Sequence, residues 1–291
     1  MFAGKHLGSC QRGKLLVPAA ALFFSSACGL AVAQGGSIPP TAAAERNPKL
    51  DNFQVLEFRR YSIKPGERGN FSHYFEAYFP EAFQQLGAIA AGSFLERGNE
   101  TGFTWIRGFH TMDGRAVGNA SFYYGPVWKE HKETLNNLMT DSDNVLLLRP
   151  LNPERGVMIL PAVDPVTEPS GAQGVIVAQV FAVKKDEVDA FATEAEPAFA
   201  KYRAAGAREA GVLVTLDAKN NFPQLPIRTD GPFLVWLGIL RDDQTLQRDL
   251  VPVTQQAAGT LEATGLLRGT PELIVLDPTL RSRMRWLPSW K

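Results

Sequence analysis

Residues 122–151 read FYYGPVWKEHKETLNNLMTDSDNVLLLRPL. The stretch predicts a helix, a polar stop and a buried strand. Pro126 suits the first turn of a helix, where its missing amide proton costs nothing. Trp128, His131, Leu135, Leu138 and Met139 then fall on one helical face, with Lys129, Glu130, Lys132 and Glu133 off it. Asp141, Ser142 and Asp143 read as the stop, and 145–148 as a short apolar strand before Arg149-Pro150. His131 therefore sits on the apolar stripe, one turn from Trp128. Two readings stand for it. One is a core histidine hydrogen-bonded to a neighbour; the other is a pocket imidazole able to move a proton or bind a ligand near neutral pH.

Working outward, 53–63 reads as a strand ended by Lys64-Pro65-Gly66. Phe71, Tyr74, Phe75, Tyr78 and Ala82 give a helical stripe, with a kink expected at Pro80. Residues 88–97 and 103–109 are two strands joined through Gly98-Asn99-Glu100, and a loop containing Asp113-Gly114 leads to the Trp128 helix. The order is strand, helix, strand, strand, helix, strand, the ferredoxin-like arrangement. The second half repeats it. Strands are expected at 175–183, 208–216, 233–240 and 273–276. A helix carries Val188, Phe191, Ala195, Phe199 and Tyr202, with Pro197 inside it; a helical region from Asp242 to Gly265 is interrupted by Pro252. A long loop, 218–231, lies between the middle strands. Trp105 and Trp236 fall mid-strand in the two halves, and VLLLRP (145–150) matches LIVLDP (273–278), so a diverged duplication is expected. Residues 51–160 and 175–280 are the two units, and 161–174, rich in proline, is the linker.

An antiparallel sheet with helices on one face must cover the other. The expected fold is therefore α+β, with two tandem ferredoxin-like dimeric α/β-barrel units packed as an intramolecular pseudo-dimer. Strand side chains between the sheets are expected to line a lumen. The alternative is pairing with another chain as a homo-oligomer.

Residues 1–33 read as a cleaved signal peptide. Lys5, Arg12 and Lys14 precede an apolar run, and Ala31-Val32-Ala33 is an A-x-A cleavage pattern. An exported protein, periplasmic or secreted, is expected, with no transmembrane segment after cleavage. Residues 34–50 read as a flexible lead-in. Both cysteines, Cys10 and Cys28, lie in the leader, so the mature chain has no disulfide, thiolate metal site or cysteine nucleophile. The full chain has 30 basic and 30 acidic residues; removing three bases leaves 27 − 30 = −3. No basic face with interleaved aromatics is evident, so nucleic acid is not an expected partner.

Four segments resemble the NIPSNAP family, in order: VLEFRRYSIKPG (55–66), WIRGF (105–109), SFYYGPVWKEHKETLNNLM (121–139) and DSDNVLLLRPL (141–151). The resemblance covers 53–151; the second half shares only the layout. It implies the dimeric α/β-barrel superfamily and a scaffold or binding role of undefined molecular activity. The superfamily also includes cofactor-free monooxygenases and haem proteins, which makes an oxygenase the alternative.

Strand alternation puts Val55, Glu57, Arg59 and Tyr61 on one face, and Phe103, Trp105, Arg107 and Phe109 on one face. Were both to meet the lumen, an acid, two guanidiniums and several rings would converge to suit a small aromatic or anionic ligand. The competing reading is a modest Glu57–arginine ion pair at the sheet rim. Trp128 and His131 complete the candidate ligand-binding set, all in the first unit; the second unit has no counterpart of either and would serve as lid. His73 and His110 read as surface and strand-end residues. No metal site is expected, and no cofactor, with haem as an alternative centred on His131. No phosphate loop or nucleophile elbow occurs. The basic tail, 281–291, with Trp286 and Trp290, reads as a packing strap, or as a membrane-surface contact.

Overall fold

The computed structural model describes residues 53–290. The first unit begins with β1 (Val55–Ile63), then α1 (Arg68–Tyr78) and α2 (Pro80–Gln85), which are separated at Phe79 because Pro80 can begin a helix but not continue one. β2 (Ala88–Glu96) and β3 (Gly102–Phe109) form the hairpin. α3 (Met112–Tyr123), α4 (Pro126–Leu138) and β4 (Met139–Pro150) complete the unit. The second unit holds β5 (Val175–Ala182), α5 (Val188–Ala204), β6 (Arg208–Thr215), β7 (Phe233–Leu240), a π-helical turn at Thr245–Leu250, α6 (Val251–Ala263) and β8 (Glu272–Pro278).

The eight strands close into one barrel in the order β1-β3-β2-β8-β5-β7-β6-β4. Each unit contributes four strands in the same relative order, and two short antiparallel seams join them: Phe94–Glu96 with β8, and Leu148–Pro150 with β6. Closure leaves no exposed sheet edge. Both hairpins carry a register shift at the same place, beside Ala91-Gly92 in β2 and Ala210-Gly211 in β6. Bulges of this kind bend a strand and increase its local twist.

Two elements differ from the sequence reading. Asp113-Gly114 is not a loop; it opens α3, whose N-cap Thr111 accepts a hydrogen bond from Gly114 N at 3.0 Å. The face that α3 buries holds Arg115, Gly118, Asn119 and Phe122, so it lacks the apolar period that announces a helix. Asp141-Ser142-Asp143 do not stop α4 either. The chain passes from Leu138 straight into β4, and Asp141 pairs with Ser62 at an irregular register. Between α3 and α4, Gly125 is required: a Cβ there would meet the Ser121 carbonyl oxygen at 2.3 Å.

The lumen expectation is also overturned. The barrel interior is solid. Leu56, Phe58, Ile106, Leu146 and Leu148 from the first unit meet Ile176, Ala178, Leu213, Val235, Leu237 and Ile239 from the second. The C-terminal segment adds Met284, fully buried, with Trp286 and Trp290 packed alongside. That segment is tied down by Arg285, whose guanidinium donates to both Glu168 oxygens at 2.5 and 2.6 Å. Glu76, on α1, accepts from Arg281 N at 2.7 Å. Among the described residues, no helix is long and apolar enough to cross a membrane. The leader and lead-in, 1–50, lie outside the described residues.

Because the interior is close-packed, Leu237→Ala is expected to cost about 2–5 kcal/mol of stability, measured by urea unfolding.

Candidate functional site

Strand alternation decides where the polar residues go. Leu56 and Phe58 point into the barrel, so Glu57, Arg59 and Tyr61 point outward. The register sets Glu57 opposite Arg107 and Arg59 opposite Trp105. This outer face is covered by α1, α2, α3 and α4, whose rings form a second core with Phe103, Trp105 and Phe109. The expected residues do converge, but between sheet and helices rather than between sheets.

Glu57 sits at the centre and is fully buried. Arg107 donates to Oε2 from Nε at 2.9 Å and from Nη2 at 2.6 Å. Arg59 donates to the same oxygen from Nη1 at 2.9 Å. Arg115, from α3, donates to Oε1 from Nε at 2.7 Å. The modest rim ion pair is thus replaced by a buried cluster of one carboxylate and three guanidiniums. Burial alone would push the Glu57 carboxyl up; the charges of Arg107, Arg59 and Arg115 outweigh it and hold the group well below the usual carboxylate range. Burial likewise lowers Arg115, opposed by Glu57. Arg59 Nε also donates to the Tyr61 hydroxyl at 2.8 Å, and burial pushes that phenol up.

Arg107 is held in a cage of rings, with its guanidinium carbon 5.2 Å from the centroids of Phe83 and Trp105, 5.3 Å from Phe109 and 5.9 Å from Tyr123. Beside it lies a cavity of about 100 Å³. Arg59, Tyr61 and Trp105 form its sheet wall, and Phe79, Phe122, Tyr123, Trp128 and Leu135 its helix wall. The loop after β6 closes the cavity with Leu225. The same loop brings Asn220 and Asn221, whose side-chain oxygens accept from Arg115 Nη1 at 3.0 and 2.8 Å. Phe222 packs near Tyr123, with ring centroids 5.8 Å apart. A segment of the second unit therefore roofs a site built by the first.

His131 is not in this cavity. It lies between α1 and α4, shares a hydrogen bond of 2.7 Å through Nδ1 with the Tyr74 hydroxyl, and stacks on Tyr78 at 3.9 Å. The core-type reading describes its place better than the pocket reading. His73 is exposed on α1, and His110 stacks on Phe53. Trp128 does line the cavity, half-buried. Arg115 escapes sequence reasoning, because its helix buries polar residues and Asp113-Gly114 reads as a loop. The signal available was Thr111 followed by Gly114 and Arg115, with Phe122 two turns on.

The second unit lacks the cluster. At the register of Trp236, Gln179 stands where Arg59 faces Trp105, and Val177 opposite Gly238 stands where Glu57 faces Arg107. Its outer face is a mainly apolar core around Phe199, Tyr202 and Trp236, with Gln179 buried in it.

No group of three or more His, Cys, Asp or Glu suited to a metal occurs among the described residues. His131, the residue that would carry a haem iron, lies outside the lining of this cavity, and its Nδ1 shares a hydrogen bond with the Tyr74 hydroxyl.

No family model matches the sequence, and no curated protein matches it. Solved structures do match in fold. A candidate monooxygenase from Fusobacterium nucleatum aligns at TM-score 0.54 and 10% identity, over 81% of this chain and 96% of that one. An anthrone oxidase-like protein aligns at 0.50 and 13%, over 83% and 98%. A NIPSNAP family protein of unknown function from Agrobacterium tumefaciens aligns at 0.32 and 21%, over 34% of this chain and 89% of its own. The chain is thus similar to dimeric α/β-barrel proteins over most of its length, and to NIPSNAP proteins over about a third.

Glu57→Gln removes the carboxylate and leaves three buried guanidiniums facing one another. A loss of about 3–5 kcal/mol is expected in chemical unfolding at neutral pH. The folded carboxyl lies below its unfolded value, so its contribution is present above about pH 4.3 and is lost as pH falls through the folded value. The native protein should therefore lose stability on acidification below about pH 4.3 more steeply than Glu57→Gln.

Proposed function

We propose that the first unit binds a small planar aromatic anion between its sheet and its helices. The observation that carries this reading is the ring-lined cavity with Arg59 and Tyr61 on one wall. Rings supply stacking area; a guanidinium and a phenol supply hydrogen bonds to an anionic oxygen. A dry cavity of about 150 Å³ accepts a benzene-sized guest. The present 100 Å³ is close to that, and its outer walls, Trp128 and Leu225, are only half-buried, so they can yield to a larger ligand. Together with the leader reading of 1–33, this makes the protein an exported small-molecule binder.

A second reading is a cofactor-free oxygenase acting on a quinol-like aromatic. It draws on the names of the fold neighbours that span most of the chain, and on the buried Arg59–Tyr61 pair, which is placed to stabilise an oxyanion formed from a bound phenol.

Hydroxybenzoates and quinols are the probes of choice, followed by calorimetry and by tryptophan fluorescence. Arg59→Met is expected to weaken binding of the anionic members at least tenfold, and to change binding of neutral isosteres little. Equal losses for both would sink the binder reading. Oxygen uptake with quinols that disappears in Trp105→Ala, while His131→Ala keeps it, would favour the enzyme.

A further inference from the structure

We infer that the Glu57 cluster carries a small anion, held by Arg107, Arg115 and Asn119. The inference goes beyond the aromatic-ligand reading and does not depend on it. Charge is the first observation. Arg59, Arg107 and Arg115 are each at most 1% exposed, and Glu57 is the carboxylate all three contact. The sum is +3 − 1 = +2 in a layer shielded from water. Tyr61 does not offset this near neutral pH, since burial favours its neutral phenol. Unbalanced charge in such a place is strongly unfavourable without a counter-charge.

The donors are the second observation. Arg107 gives Nε and Nη2 to Glu57, and its Nη1 meets no protein acceptor. Arg115 gives Nε to Glu57 and Nη1 to the two loop asparagines, and its Nη2 meets none. Asn119 follows Arg115 by four residues on α3 and so shares its face. It is 1% exposed, and neither atom of its amide has a partner. Buried donors without acceptors are rare in folded proteins. Two guanidinium nitrogens and an amide nitrogen suit a guest that only accepts: a halide, nitrate, or the carboxylate end of a larger molecule. The rings around Arg107 take up part of its charge but give Nη1 no acceptor.

The test uses the full chain at constant ionic strength, with gluconate as the bulk anion. Bromide or nitrate replaces it stepwise while the thermal midpoint is followed. A saturating rise is expected with bromide and nitrate. Asn119→Asp places a carboxylate where the amide stands. It should fold at low bromide and lose the response. A midpoint that tracks ionic strength whatever the anion overturns the inference, as does an unaltered response in Asn119→Asp. Should that variant not fold, crystals grown in bromide decide: an anomalous peak within hydrogen-bond distance of Arg107 Nη1 and Arg115 Nη2 supports the site, and its absence overturns it. Aromatic ligands that fail to bind, beside a bromide response that persists, would defeat the previous reading and leave this one standing.

Discussion

One carboxylate, Glu57, holds together groups from four parts of the chain. Arg59 comes from its own strand, Arg107 from the neighbouring strand, Arg115 from α3, and through Arg115 the loop after β6 is drawn in from the second unit. Removing a charge from water is expensive, and here four are removed together. Such a cluster is maintained only if the surroundings are built to satisfy it. The helices over the first unit, and the aromatic rings they carry, are arranged around that requirement.

The barrel explains why the cluster lies where it does. Two four-stranded sheets close on each other and fill the space between with aliphatic side chains. A packed interior leaves no room for a guest. The space available for binding is displaced to the outer layer, where sheet meets helix. In the second unit that layer is also filled, by Phe199, Tyr202 and Trp236, with Val177 and Gln179 in place of charged groups. The first unit keeps a buried carboxylate–guanidinium cluster there, with a ring-lined cavity beside it. The two halves share a layout and differ in what their outer layers hold: one a mainly apolar core, the other a buried cluster of one carboxylate and three guanidiniums beside a ring-lined cavity.

The division of labour extends to the loop. Residues 218–231 belong to the second unit by sequence, yet Leu225 closes the first unit's cavity and Asn220 and Asn221 bind its Arg115. A site assembled across the two units depends on their staying closed, which the two seams provide with side-chain support. Across one seam, Arg60 pairs with Glu96 and Glu272. Near the other, Arg155 pairs with Glu209 and Glu196.

Periodicity and breakers set the strand order, the helices other than α3, the kink at Pro80 and the shared face of Glu57, Arg59 and Tyr61, and they favoured the pseudo-dimeric barrel over pairing with another chain. These are local properties, fixed by backbone geometry and by which side chains avoid water. Sequence did not reveal α3, since a helix that buries Arg115 and Asn119 shows no apolar stripe. It did not reveal that 141–143 pair as strand, since their polar side chains face solvent at an irregular register. Nor did it say which face of the sheet looked inward. Alternation gives two faces and no sign; only closure against the second sheet assigned the aliphatic face to the barrel and the charged one to the helices. That choice is tertiary because the aliphatic face packs against the second sheet and the charged face against the helices, partners that no short stretch contains.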